Sequence, residues 1–234
     1  MPVKPVRTSS RILRMTSTLM ALSLLMLLGL ASEALAAPRT MRLDYYHTGD
    51  ATREVFSLDR IVLEPLPWPG NPQKAIDSTN LGKYFFEVID QKTGGAIYSR
   101  GFASIYGEWE TTDEAAKLTR TFSESLRFPA PQAPARIILK KRDKANNFKE
   151  VWSTAIDPKD PFIDDSKPPD AGPLIAIQNS GDPATRVDFL IIGDGYSVAE
   201  RGKFEKDARR LADLLFATSP FKEERSRFNL WGLC

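Results

Sequence analysis

Val187–Cys234, VDFLIIGDGYSVAERGKFEKDARRLADLLFATSPFKEERSRFNLWGLC, reads as strand, tight loop, helix and second strand. Val187, Phe189, Leu190, Ile191 and Ile192 form a short apolar run of the kind found in a strand buried on both faces of a parallel sheet. Gly193-Asp194-Gly195-Tyr196 interrupts it with two glycines that permit a tight turn. Ser197 and Glu200 have capping-box spacing, and Phe204, Ala208, Leu211 and Leu215 make an apolar helical stripe. Lys203, Lys206, Arg209 and Arg210 flank that stripe. Thr218-Ser219-Pro220 ends the helix, because the residue before a proline is pushed out of the helical region. Phe228–Trp231 reads as the second strand. A β-α-β unit needs further strands and helices around it, so the expectation is an incomplete α/β unit at the start of a domain, in a chain that is truncated.

The preceding residues read differently. Met1–Ala36 carries a basic start (Lys4, Arg7, Arg11, Arg14), an apolar core at Leu19–Leu30 and the cleavage pattern Ala34-Leu35-Ala36. These are the features of a secretory signal. Export to the periplasm or the medium is expected, with a cut after Ala36 and no stable membrane insertion afterwards; the alternative is an uncleaved membrane anchor, for which the apolar run is short. The 32 Lys/Arg and 30 Asp/Glu become 28 and 29 once residues 1–36, with four Lys/Arg and one Glu, are removed. Near-neutral charge argues against nucleic acid as a partner.

Residues 40–156 read as a β-sandwich of about seven short strands. Met41, Leu43 and Tyr45 share one side of the first, and Thr48-Gly49-Asp50 is read as the turn after it. A run that starts at Ile61–Leu63 is expected to be stopped by Pro65, Pro67, Pro69 and Gly70. Lys83–Asp90 and Ala96–Arg100 make a hairpin about Thr93-Gly94-Gly95. Thr121–Phe128, Ala135–Lys141 and Phe148–Ile156 complete the set, and Thr111–Lys117 is read as a helical turn. Five prolines between Asp157 and Pro173 mark a linker, residues 157–173. The α/β unit then occupies 174–234, with Leu174–Ile177 as a short entering strand. The fold class expected is mainly β, a sandwich followed by an incomplete zincin-like strand–helix–strand unit.

Candidate chemistry is sparse. A dinucleotide loop needs a third glycine where Val198 stands. A serine nucleophile would occupy the position of Gly195, and the one histidine, His47, lies in the sandwich. The preferred reading of the loop is a structural turn that sets Asp194 near the carboxyl end of the strand. Zinc needs three or four ligands, which His47 and the single Cys234 do not supply. His47 is read as a surface or strand-end residue and Asp164-Asp165 as solvated linker. Tyr84, Phe85, Phe86, Phe102, Tyr106 and Trp109 are read as core before a binding face. No catalytic, cofactor-binding or metal-binding residue is assigned.

Two regions carry a resemblance. The first holds Asp44–Gly49 (DYYHTG), Phe56–Arg60 (FSLDR), Glu64–Asn71 (EPLPWPGN), Gly82–Val88 (GKYFFEV) and Tyr98–Trp109 (YSRGFASIYGEW). The second holds Asp188, Gly193–Tyr196, Glu200, Phe204, Pro220-Phe221 and Phe228-Asn229. Together they resemble the N-terminal part of the IgA peptidase family of secreted zinc metallopeptidases. The resemblance implies an endopeptidase acting on protein or peptide, with zinc held by an H-E-x-x-H helix. No H-E-x-x-H occurs among these residues, so the family's ligands cannot be carried over and no zinc is expected to bind this chain specifically. The expected function is the N-terminal portion of such an enzyme, inactive as a peptidase by itself. The alternative is a secreted, non-enzymatic β-sandwich binding module.

Overall fold

The structure, a computed structural model, describes residues 37–170 and 172–234. The expected export signal lies outside the described residues.

Period-two alternation builds two antiparallel sheets. One has strand order β2-β1-β5, from β1 (Arg39–Gly49), β2 (Glu54–Pro67) and β5 (Arg120–Pro129). The other has order β4-β3-β6-β7, from β3 (Tyr84–Asp90), β4 (Ala96–Phe102), β6 (Ala135–Arg142) and β7 (Phe148–Ile156). Met41, Leu43, Tyr45, Leu126 and Phe128 of the first sheet meet Tyr84, Phe86, Val88, Ile137 and Leu139 of the second in one core. Burying each such side chain contributes about 1.5–3 kcal/mol, which makes this shared face the main stabilising feature of the sandwich. Phe86 and Phe128 bridge the layers with ring centroids 6.2 Å apart.

Several boundaries differ from the sequence reading. β1 continues through Gly49, and Asp50 makes the turn by accepting from the amides of Thr52 and Arg53. β2 begins at Glu54 and runs through Pro65 to Pro67. The prolines are tolerated because β2 is an edge strand. A short helix not foreseen, α1 (Ile105–Trp109), is capped by Ser104, which accepts from the Gly107 amide at 2.9 Å; the expected turn at Thr111–Lys117 follows it, with Leu118 N–H donating to Glu114 O at 3.0 Å. Of the six aromatics, Tyr84, Phe86, Tyr106 and Trp109 are buried, and Phe102 packs partly against the core. Phe85 faces outward onto Phe148, with centroids 5.0 Å apart.

The proline-rich segment does not leave the sandwich at once. Asp164 exchanges backbone hydrogen bonds with β2, donating to Ile61 O at 2.9 Å and accepting from Leu63 N–H at 2.8 Å. Ile163 packs on the sandwich core.

Beyond it, β8 (Ile175–Gln178), β9 (Val187–Ile192) and β10 (Phe228–Leu233) form a sheet of order β8-β10-β9. β10 runs parallel to β9 and antiparallel to β8. Helix α2 (Arg201–Leu215) crosses between β9 and β10. Its buried residues are Phe204, Ala208 and Ala212, continued by Phe216. Two expectations are corrected here. Leu211 is half exposed, because the buried stripe advances strictly by fours from Phe204 and leaves Leu211 on its flank. β9 is not buried on both faces: Val187, Phe189, Leu190 and Ile192 are exposed. Among the described residues only β10 pairs with β9, which makes it an edge strand.

Candidate functional site

The loop at the carboxyl end of β9 is where an open α/β sheet places chemistry. Its two glycines have separate tasks. Gly195 has φ +79°, a left-handed conformation that glycine adopts without steric cost. Gly193 lies under the Phe204 ring, where a Cβ would come within 2.9 Å of it. Tyr196 donates to Asp207 at 3.0 Å, Lys203 donates to the same carboxylate at 2.8 Å, and the Lys203 ammonium lies 4.9 Å from the Tyr196 ring centre. Glu200 accepts from the Ser197 amide and hydroxyl at 3.1 and 2.8 Å, so the serine is committed to starting the helix. Asp194 is exposed and makes no side-chain hydrogen bond or ion pair among the described residues. The loop therefore presents one carboxylate beside a rigidly packed turn, with no histidine or thiol partner. Val198, at the third-glycine position of a dinucleotide loop, is 94 % exposed.

The other concentration of chemistry is inside the sandwich, and here a sequence expectation fails. His47 is fully buried, not a surface residue. Its Nε2 lies 3.0 Å from Glu54 and its Nδ1 3.2 Å from Glu124. Tyr106 stacks on the ring at 3.8 Å between centroids, and Phe56 lies on it at 4.2 Å. Tyr45 donates to Glu124 at 2.7 Å and Tyr84 to Glu54 at 2.8 Å. Lys141 pairs with Glu54 at 3.0 Å and with Glu110 at 2.9 Å, and Lys83 also pairs with Glu110. Burial opposes ionisation of His47, Glu54 and Glu124. The hydrogen bonds among them outweigh it, raising the histidine pKa above its ordinary value and lowering both carboxylates below theirs.

A signal for this cluster existed. Extending the alternation of Met41, Leu43 and Tyr45 by one step places His47 on the same inward side. On β5, Phe122, Glu124, Leu126 and Phe128 alternate in the same way, and the register sets Glu124 opposite Tyr45.

Zinc does not fit these residues. Both His47 nitrogens are engaged by carboxylates in a closed core, and Cys234 is exposed at the far end of the chain. Among the described residues no three His, Cys, Asp or Glu side chains are gathered to hold a metal ion. Nor is any described helix long and apolar enough to cross a membrane. An open cavity of about 430 Å³ lies between β2 and residues 164–169, lined by Arg42, Arg60, Val62, Leu66 and Pro168. Arg42 and Arg60 are already paired with Asp44 there.

The seven-stranded sandwich is thus followed by a strand–helix–strand unit that carries the Gly-Asp-Gly-Tyr loop, and both parts match models of one peptidase family. Residues 33–153 match the family model described as Peptidase M64 N-terminus, and residues 175–234 match that described as IgA Peptidase M64. The first match alone covers more than half of the chain, and the chain belongs to the IgA peptidase M64 family, a family of metallopeptidases. No curated protein matches it.

Proposed function

We propose that these 234 residues supply the β-sandwich and the opening strand–helix–strand of a secreted zinc endopeptidase, and that they carry no peptide-cleaving apparatus of their own. The observation behind this reading is His47. It is the only histidine in the chain, whereas an H-E-x-x-H site needs two on one helix. Its ring is closed into the sandwich core by Glu54 and Glu124.

Export is part of the proposal, supported by the basic, apolar and small-residue segments of residues 1–36. Protein or peptide is the substrate class that membership of the family supports. The sandwich and the rigid turn after β9 act here as framework. Asp194, the open carboxylate of that turn, makes no side-chain hydrogen bond or ion pair among the described residues.

The test is to incubate the purified chain with zinc and an unstructured protein such as casein, with and without a chelator. Background hydrolysis, equal in both, is expected. Chelator-sensitive turnover that copurifies with the chain would contradict the proposal.

A further inference from the structure

The cluster around His47 does more than fill the core. Two ionised carboxylates accept hydrogen bonds but cannot donate them. A ring nitrogen facing each one must therefore carry a hydrogen, and a ring with hydrogens on both nitrogens is an imidazolium. Charge counting agrees. His47, Lys83 and Lys141 face Glu54, Glu110 and Glu124, three positive groups against three negative, when the ring is protonated. No buried side-chain nitrogen or oxygen among the described residues lacks a hydrogen-bond partner.

We propose that the sandwich is latched by a single buried proton: the proton on His47 balances this six-charge cluster and holds α1 against β1, β2 and β5, and its loss at rising pH releases α1. Helix α1 is tied to the cluster at four points, one of them Lys83 donating to Gly107 O at 2.7 Å. The Tyr106 ring stacks on His47, the Tyr106 amide donates to Glu124 at 3.3 Å, and Glu110 pairs with Lys83 and Lys141. A neutral ring would turn a lone pair toward one carboxylate and leave the buried cluster one negative charge in excess, a costly state in a low-dielectric core. It would also weaken the attraction between the cationic ring and the Tyr106 and Phe56 faces.

The remaining titratable groups facing the ring are phenols. Burial and the neighbouring carboxylates push Tyr45, Tyr84 and Tyr106 upward, so they stay protonated and keep donating. His47 is then the group of the cluster whose proton is lost first as the pH rises above the ordinary histidine value. Its pKa is raised, so the latch is complete below pH 6.5 and is lost as the pH climbs past the higher folded value. This inference stands apart from the peptidase reading, because it needs only the sandwich.

A single histidine makes the test unambiguous. In the 15N-labelled chain, imidazole NMR follows His47 from pH 5 to 10, and hydrogen exchange follows the amides of Tyr106 and Gly107 over the same range, corrected for intrinsic rates. The expected result is an imidazolium at pH 6, a titration midpoint above 6.5, and a loss of α1 protection of at least tenfold along the same curve. A midpoint at or below 6.5 overturns the buried proton. A normal titration with α1 protection unchanged throughout overturns the latch. His47→Gln, if it folds, should show α1 exchange that no longer responds to pH, and a retained response would count against the proposal.

Discussion

The ring of Phe204 rests directly over Gly193, so close that a Cβ on the glycine would lie 2.9 Å from it. The same ring approaches Gly232 of β10, where a Cβ would be at 3.1 Å. α2 is thus seated in a notch opened by two glycines, Gly193 just past the end of β9 and Gly232 in β10. Gly193→Ala should destabilise the α2–sheet contact by about 1–3 kcal/mol, the usual cost of overpacking. Phe204→Ala should cost about 3–5 kcal/mol by leaving a cavity. Faster hydrogen exchange in α2 and β9, with sandwich amides unchanged, is the signature to look for.

Asn229 holds the start of the second parallel strand. Its Oδ1 accepts from the amides of Ser180 and Gly181 at 2.8 and 3.2 Å, and its Nδ2 donates to Gly181 O and to Asp188, both at 2.9 Å. Asn229→Ala removes four hydrogen bonds from a buried side chain to partners that water can partly reach, and should cost about 0.5–1.5 kcal/mol. Asn229→Asp should be worse at neutral pH, because it sets a carboxylate against Asp188, and should recover in acid as one of the pair takes a proton. Urea midpoints of the β8–β10 unit at pH 7 and pH 4.5 would separate the two variants.

On the acid side the sandwich has its own dependence. Glu54 and Glu124 are held below the ordinary glutamate value of 4.5. A depressed carboxylate contributes stability that is present above its unfolded pKa and lost as the pH falls through its folded one. The urea midpoint should therefore decline below about pH 4.5, and Glu124→Gln should flatten that decline while lowering the midpoint at pH 6. An unchanged acid slope in the variant would show that the carboxylate is not coupled in this way.

Residues 157–173 should not be uniformly cleavable. Asp164 is paired to β2 on both sides of its backbone and Ile163 is packed, whereas residues 165–170 are mostly exposed. A broad-specificity protease should make its first cuts after Asp164, although the Phe162 side chain is 90 % exposed. Mass spectrometry of the earliest fragments decides it. First cuts at 157–163 would mean that the β2 pairing does not hold in solution.

What was legible in the sequence follows from which forces are local. Strand alternation and helix capping are local, so the seven sandwich strands and α2 could be read from their own residues. The Gly-Asp-Gly-Tyr turn was legible as a turn, but not the reason for Gly193, which is a ring eleven residues further on. His47 was misread because a charged group looks solvated until its partners are known, and Glu54, Glu124 and Lys141 arrive from three other strands. β9 was misread because an apolar run states what a strand can bury, not which neighbours stand beside it. β2 ends among its prolines, at Pro67, and tolerates Pro65 because an edge strand needs only one ladder of hydrogen bonds; its start at Glu54, well before Ile61, was not legible, because strand pairing is a tertiary fact.

The most direct test of the claim that this chain is framework rather than catalytic centre is an equilibrium zinc titration against a competing chromophoric chelator. The expected result is no saturable site: the chelator keeps its zinc as chain is added, and the His47 imidazole signals do not move. One equivalent of zinc withdrawn from the chelator, with a matching shift of the His47 signals, would contradict it and place a metal centre among residues assigned here to structure.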